Sequence, residues 1–290
     1  MENIKLNTLP VPTFRWLGVN FADKAVQHID APSAEIDFSD GETVRIDVRD
    51  STHINADVPD NSTGTLILYC DADSEIRLSG SINVGAYSDV KIVQIFNGAA
   101  STVGGLRIKA ADGASVRLVQ LFIGGGQNIS ETDVTLSGYK SKLVTDIGYL
   151  LSDNDKLDIN LIARHAGKKT QSEINVKGVM NDESEKTFKG TIDFLCGSSG
   201  AKGAEKEDVM LLGDKVQNKT VPLILCAEED VEGEHGASVG RIDDELMFYM
   251  LSRGLDEQTA IDLLARSKIS SVISKIDDEQ TVKRLDSELL

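Results

Sequence analysis

From about position 43 to position 226 the chain is a succession of short β-type runs separated by Gly, Asn, Asp and Ser. The clearest are Val44-Arg-Ile-Asp-Val48, Thr65-Leu-Ile-Leu-Tyr69, Val90-Lys-Ile-Val-Gln-Ile-Phe96, Val116-Arg-Leu-Val-Gln-Leu-Phe122, Leu157-Asp-Ile-Asn-Leu161 and Ile174-Asn-Val176. Many alternate apolar with polar residues, as a strand with one buried face requires, and they recur roughly every ten to fifteen residues. A sandwich, a barrel and a stacked parallel solenoid all answer to such a pattern. Sandwiches and barrels carry repeated hairpin signals and aromatic core residues. Here aromatics are 5%, Asn97-Gly98 leads into Ala-Ala-Ser rather than a strand, and Asp112-Gly113 is the one plausible hairpin pair between two runs. Small aliphatic side chains stacked coil on coil favour the solenoid, although no strict short repeat stands out.

The two ends differ from this middle. Up to about position 40, Pro10, Pro12 and Pro32 discourage a continuous helix, and Phe14, Trp16 and Leu17 look like an anchor packed on the first coil. After Gly240 the texture becomes helical. Asp243 is placed to cap a helix over 244–253, Asp244 and Glu245 sit at its positive end, and Gly254 stands where a terminating glycine belongs. Asp256 caps a second helix over 257–268, with Ile261, Leu264 and Ala265 on one face, and a third is expected over 271–276, fraying toward Leu290. The expected organisation is an irregular cap over 1–40, a β-solenoid over 41–240 and a helical region over 241–290.

A net charge of −17 argues against nucleic acid and against an anionic membrane surface, since both demand clustered Lys and Arg. The first twelve residues lack a basic stretch followed by an apolar run, and no later apolar stretch is long enough to span a bilayer, so a cytoplasmic location is expected. Cys70, Cys196 and Cys226 are too few and too far apart for a disulfide framework and are expected as thiols. Without an export signal, the glycosylation triplets at Asn61, Asn128 and Asn218 are read as chance.

Enzymatic signatures are weak. The nearest approach to a phosphate-binding loop, Gly167-Lys-Lys-Thr170, has Lys169 where the hydroxyl belongs and Ile162 where the first glycine must be. Gly124-Gly-Gly126 follows a strand-like run without a βαβ unit and reads as a tight solenoid turn. No Gly-x-Ser-x-Gly elbow is present. Of His28, His53, His165 and His235, each taken singly reads as a surface or hydrogen-bonded histidine. His235 stands out because it lies in Cys226-Ala-Glu-Glu-Asp-Val-Glu-Gly-Glu-His-Gly-Ala-Ser-Val-Gly240, where a thiol, an imidazole and carboxylates gather just ahead of the helices. That donor set suits iron or zinc, but the spacing is not that of the paired short loops of structural zinc sites. The alternative is a solvated acidic turn with Cys226 in the core.

The same segment carries a family resemblance. Pro222-Leu-Ile-Leu-Cys226, Asp230-Val-Glu-Gly-Glu-His-Gly-Ala-Ser-Val-Gly-Arg-Ile-Asp243, Glu245-Leu-Met-Phe-Tyr249 and Ser252-Arg-Gly254 resemble the C-terminal signature of the SufB/SufD family of iron–sulfur cluster assembly scaffolds. Lys177-Gly-Val-Met, Phe188-Lys-Gly190, Leu211-Leu-Gly-Asp214 and Arg15-Trp-Leu-Gly-Val-Asn20 resemble other parts of the family. The resemblance implies a right-handed parallel β-helix whose helical C-terminal region docks on the ABC-type ATPase SufC, two scaffolds pairing through the end of the β-helix. It implies a scaffold rather than an enzyme, with ATPase activity in the partner and a transient iron–sulfur cluster near the pairing interface. His235 matches the histidine that SufD-type chains place there, and Glu234 an acidic position of SufB-type chains; with Cys226 they form the candidate ligand set, Cys226 and His235 being the metal candidates. Phe248, Tyr249, Leu251, Ile261 and Leu264 are the candidate ATPase-docking residues.

The transfer is incomplete, because the sulfur-accepting cysteine of SufB-type chains falls at Glu207, and Gly236 replaces a glutamate found there. The chain is then either a SufD-like partner of a SufB-like paralogue or the sole scaffold of a minimal homodimer that uses Cys226; its short length favours the second. Cys196 and Cys70 are read as structural. A purely structural clamp without metal, and a β-helical polysaccharide lyase, are the other readings; the lyase conflicts with the missing export signal and the few aromatics.

Overall fold

The computed structural model describes residues 2–13, 15–26 and 31–289. The strands β1 (Glu2–Leu6) and β2 (Ala22–Val26) form an antiparallel pair. Sixteen further strands build two parallel sheets of eight. Sheet I stacks β3 (Ser33–Asp37), β5 (Thr52–Val58), β7 (Ile76–Val84), β9 (Thr102–Ala110), β11 (Gln127–Leu136), β13 (Lys156–His165), β15 (Glu185–Phe194) and β17 (Gln217–Cys226). Sheet II stacks β4 (Glu42–Val48), β6 (Thr63–Cys70), β8 (Asp89–Phe96), β10 (Ser115–Phe122), β12 (Lys142–Leu151), β14 (Gln171–Met180), β16 (Ala201–Leu211) and β18 (Val231–Gly240). Successive strands alternate between the sheets, so the chain winds as a parallel β-solenoid. Because β9 and β10 lie in different sheets, Asp112-Gly113 is a solenoid corner rather than a hairpin.

What makes the coils stack is a corner conformation repeated in register. Asn61, Tyr87, Gly113, Lys140, Lys169 and Gly200 all have positive φ, between 55° and 75°. They are spaced by 26, 26, 27, 29 and 31 residues, one per coil. At five successive corners the backbone N–H donates into the next coil: Asn61 to Ala86, Tyr87 to Asp112, Gly113 to Tyr139, Lys140 to Lys168 and Lys169 to Ser199, all at 2.8–2.9 Å. Turn groups that a loop would leave to water are thus paired along the solenoid axis. The Gly124–Gly126 segment makes another corner, between β10 and β11, where a Cβ on Gly124 would fall 2.3 Å from the carbonyl oxygen of Gly98.

One residue in two points inward, and the inward rows of both sheets merge into a core running from Phe38 to Val209. Sheet II is apolar on its outer face as well. There Ile67, Tyr69, Val93, Ile95, Val119, Leu121 and Val179 pack against Ala265, Ile269, Val272, Ile273, Ile276 and Leu285. This explains runs such as that of β8, whose last seven residues are all buried: they are strands covered on two sides.

The covering elements are α2 (Glu257–Ile273) and α3 (Glu279–Leu289), preceded by α1 (Asp244–Ser252). Asp243 and Asp256 cap α1 and α2 as expected, accepting from the backbone N–H groups of Glu245 and Thr259. Gly254, with φ of 89°, follows the end of α1. The expected separate helix over 271–276 is instead the last turn of α2. The real third helix starts at Asp278, whose carboxylate accepts from the Thr281 N–H at 3.0 Å and pairs with Arg45. The chain's last helix is thereby pinned to the first strand of sheet II, and Arg284 reinforces this by pairing with Asp47 and Asp71.

The N-terminal anchor differs from expectation. Phe14 lies outside the described residues, while Trp16 is 81% exposed and Leu17 is exposed, so neither of these two is buried as an anchor would be. The segment is held instead by Leu9, Val19 and above all Asn7, whose amide donates to Ser130 O and Asp158 O while Lys189 donates to its carbonyl at 3.1 Å. Among the described residues, no helix is long and apolar enough to cross a membrane.

Candidate functional site

The solenoid ends on β17 and β18, each paired on one side only. Apart from half-buried Val231, every residue of β18 is exposed, so the inward row of the last coil faces out of the open end. Strand parity places the candidate residues. Cys226 sits over inward-facing Phe194, and His235 over inward-facing Glu205. Glu234 pairs with Ala204 on the opposite parity and lines an outer groove of about 740 Å³ together with Lys202 and Lys206.

Cys226 and His235 thus share the open end, while Glu234 belongs to the outer face. The two facing strands run in opposite directions. A Cβ on Gly233 would lie 3.1 Å from Ile224, and Thr220 bonds to Glu207, the neighbour of Ala237. His235 therefore stands opposite Pro222, and Cys226 four residues further along, about 13 Å at 3.3 Å per residue. Within one protomer the thiol and imidazole do not converge. Among the described residues no three His, Cys, Asp or Glu side chains form a metal-holding group. The Cys226 thiol is exposed and donates to Glu228 O at 3.3 Å.

Beneath the open end lies a polar cluster that motif reading did not find. Lys186 and Glu207 form an ion pair with both side chains fully buried. Lys186 also donates to Thr220 Oγ1 at 3.0 Å, and Thr220 donates to Glu207 at 2.6 Å. Glu205 reaches into the space left by Gly190, where a Cβ would meet its Oε2 at 2.0 Å. Burial, and then the charge of Glu207, push the Glu205 carboxyl up to about 7, while burial pulls the Lys186 ammonium below its ordinary range. The signal was present in the sequence: Glu205 and Glu207 occupy the same alternating phase as Ala201, Gly203 and Val209, and Lys186 that of Phe188 and Ile192. Charges on the buried phase of a strand need partners and mark a place worth explaining.

Five other thiols and imidazoles remain. His53 is hydrogen-bonded to Ser79 at 2.7 Å and Asn55 at 3.1 Å, and His28 lies outside the described residues. Cys70 is a buried thiol, whereas Cys196, expected to be structural, is exposed in the turn after β15. His165 is wholly buried, bonded to the hydroxyls of Thr170 at 2.7 Å and Ser172 at 2.8 Å, with its ring 4.8 Å from that of Phe194.

Burial depresses the His165 imidazole from 6.5 to about 4. The unfolded chain therefore binds a proton that the folded chain refuses, so this contribution is complete above pH 6.5 and is lost as pH falls toward 4. The expected slope is about 1.4 kcal/mol per pH unit across that window. Urea midpoints of the wild type and His165→Phe at pH 7, 6, 5 and 4.5 check it. The wild type should fall more steeply, and parallel curves would contradict the assignment.

The candidate docking residues divide between two helices. On α1, Phe248, Tyr249 and Leu251 are 73%, 54% and 42% exposed, and Leu246, which the sequence did not single out, is 43% exposed beside them. On α2, Ile261 and Leu264 are half-buried, and Ile261 lines a groove of about 560 Å³ with Val179, Leu212 and Ala265.

Known proteins share this architecture in sequence. The family described as "SUF system FeS cluster assembly, SufBD core domain" matches residues 45–268. An iron–sulfur cluster assembly SufBD family protein of Arabidopsis thaliana, ABCI8, chloroplastic, is 28% identical over 212 residues, covering 73% of this chain and 37% of its own length. The iron–sulfur cluster assembly protein SufD of Bacillus subtilis is 32% identical over 123 residues, 42% of this chain and 28% of its own. SufD of Escherichia coli is 26% identical over 169 residues, 58% of this chain and 40% of its own. The matched stretch thus spans between about a quarter and two fifths of these relatives. With the family match running from the first strand of sheet II to α2, the chain belongs to the SufBD family of iron–sulfur cluster assembly proteins.

Proposed function

We propose that the chain is a cytoplasmic scaffold subunit that pairs through β17 and β18 with a second protomer, itself or a SufB-like paralogue. The nascent iron–sulfur cluster is its cargo, held at that seam. One observation carries the reading: the solenoid ends on two ten-residue edge strands that nothing among the described residues covers. Exposed edges of that length are ordinarily covered or paired. The uncovered inward row, which includes His235 and Cys226, then becomes the floor of an interface. Because the thiol and imidazole stand apart in one protomer, a cluster held by both draws its ligands from two protomers. The exposed apolar row of α1, the helix that directly follows β18, is the proposed seat of a SufC-like ATPase able to move the scaffold as it binds ATP.

Anaerobic reconstitution with iron and sulfide tests this. The expected result is charge-transfer absorption with about one cluster per two chains, lost in Cys226→Ala and in His235→Ala. Unchanged absorption in both variants would overturn the ligand assignment.

A second reading is a clamp that positions the ATPase and a SufB-like partner without touching metal. Glu207 supports it, because a carboxylate locked to Lys186 stands where SufB-type chains carry the sulfur-accepting cysteine. It predicts that Cys226→Ala leaves cluster assembly in cells unchanged while changes on α1 abolish it.

A further inference from the structure

Far from the open end, on the outer face of sheet I, the chain has a small cavity lined by both apolar and charged residues. Its volume is about 210 Å³, and Leu6, Asn7, Arg77, Ser79, Gly105, Arg107 and Glu131 are among its lining residues. The register explains its shape. Ser79 and Gly105 are directly paired at its centre, with Arg77 two residues to one side on β7 and Arg107 two residues to the other side on β9. Both arginines start about 7 Å from the centre along the strands and line the same cavity. Gly105 has no side chain, so the floor between them is bare. His53 and Glu131 close the two remaining sides, as the neighbours of Ser79 and Gly105 on the adjoining strands. The roof is the segment that Asn7 ties down.

Ion pairs hold several charges of this face. Elsewhere on it Arg164 pairs with Asp133 and Asp193, Lys189 with Asp158, and Lys156 with Glu185. Among the described residues Arg77, Arg107 and Glu131 form no ion pair, though all three line one cavity. Two guanidinium groups held apart over a bare floor match the two oxygens of a carboxylate. An unpaired carboxylate across the same cavity matches an ammonium group.

We propose that this cavity binds a small zwitterion of the α-amino-acid class, its carboxylate between Arg77 and Arg107 and its ammonium toward Glu131. The volume is below the range of drug-sized pockets and suits a ligand of a few heavy atoms. The chain's charge of −17 bears on the choice, since its field repels free anions but not a ligand of zero net charge.

Calorimetric titration of the full chain tests the proposal, with glycine, acetate, methylammonium and inorganic phosphate as probes. Saturable heat is expected with glycine, at an affinity at least about tenfold above those of acetate and phosphate, with none from methylammonium. The double variant R77A/R107A should lose glycine binding while keeping the wild-type thermal midpoint. E131Q should weaken glycine about tenfold and leave acetate unchanged. No heat with glycine, phosphate binding tighter than glycine, or glycine binding that survives the double variant would each overturn it. Because the cavity lies on β5 to β11 and the proposed cluster seam on β17 and β18, failure here leaves the scaffold reading standing, and the reverse holds.

Discussion

Glu207→Ala lowers the unfolding free energy by about 3–5 kcal/mol, because it takes from the buried Lys186 ammonium the carboxylate it is hydrogen-bonded to and leaves it only the field of Glu205. The pair has no exposure on either side chain, and Lys186 lies against the rings of Tyr149 and Phe188, at 5.8 and 5.7 Å from their centroids. Neither ring replaces a carboxylate, and Thr220 loses its acceptor in the same step. Two features separate this from ordinary cavity formation. The first is pH dependence. In the variant the folded state relieves the charge by shedding the Lys186 proton, while the unfolded chain keeps it up to pH 10.5, the ordinary lysine value. The unfolded state then binds more protons, so the deficit shrinks as pH rises, by up to about 1.4 kcal/mol per unit. The second is rescue: Lys186→Met combined with Glu207→Leu should recover most of the loss, as apolar replacement of buried ion pairs commonly does. Urea denaturation of the three proteins at pH 7 and 9 decides the matter. An equal deficit at both pH values, or a double variant as unstable as the single one, would show that the pair is not what the site depends on.

The fold was legible in sequence for a physical reason, and its repeat was hidden for another. Alternation in β4 and in most of β14 exposes a strand with one buried face, and the scarcity of aromatics fits stacked aliphatic rows. The repeat itself is one of backbone conformation. Asn61, Tyr87, Gly113, Lys140, Lys169 and Gly200 share a left-handed corner but not a residue type, and their spacing lengthens along the chain. Hydrogen bonds into the next coil hold even Tyr87 there, so the interaction that fixes the corner lies 25 or more residues away in sequence. The caps of α1 and α2 were readable because capping is local; the start of α3 was not, because Asp278 answers partly to Arg45, more than two hundred residues earlier. For the site, sequence singled out Cys226, Glu234 and His235 by proximity along the chain. Strand parity sorts them differently, turning Glu234 away from the axis and bringing the unremarked Glu205 directly under His235.

The helical region gives the second large effect, since its apolar residues serve two purposes that a sequence cannot separate. Ile269 is buried against the outer face of sheet II, and Phe248 projects from α1 at 73% exposure. Ile269→Asp puts a carboxylate among apolar neighbours without a cation in the cluster, and the expected loss is roughly 3–5 kcal/mol. It also uncovers Val93, Ile95, Val119 and Leu121, a contiguous apolar strip on the edge-to-edge continuous sheet II, so aggregation accompanies the loss. Phe248→Asp should change stability by less than about 0.5 kcal/mol, because an exposed side chain on a short helix contributes little to the fold. If α1 is the seat of an ATPase partner, that same change removes co-elution with a SufC-like protein while thermal midpoint and circular dichroism stay at wild-type values. Aggregation of the Phe248 variant would instead make α1 part of the core assembly, and a stable, monodisperse Ile269 variant would mean that α2 does not hold the sheet.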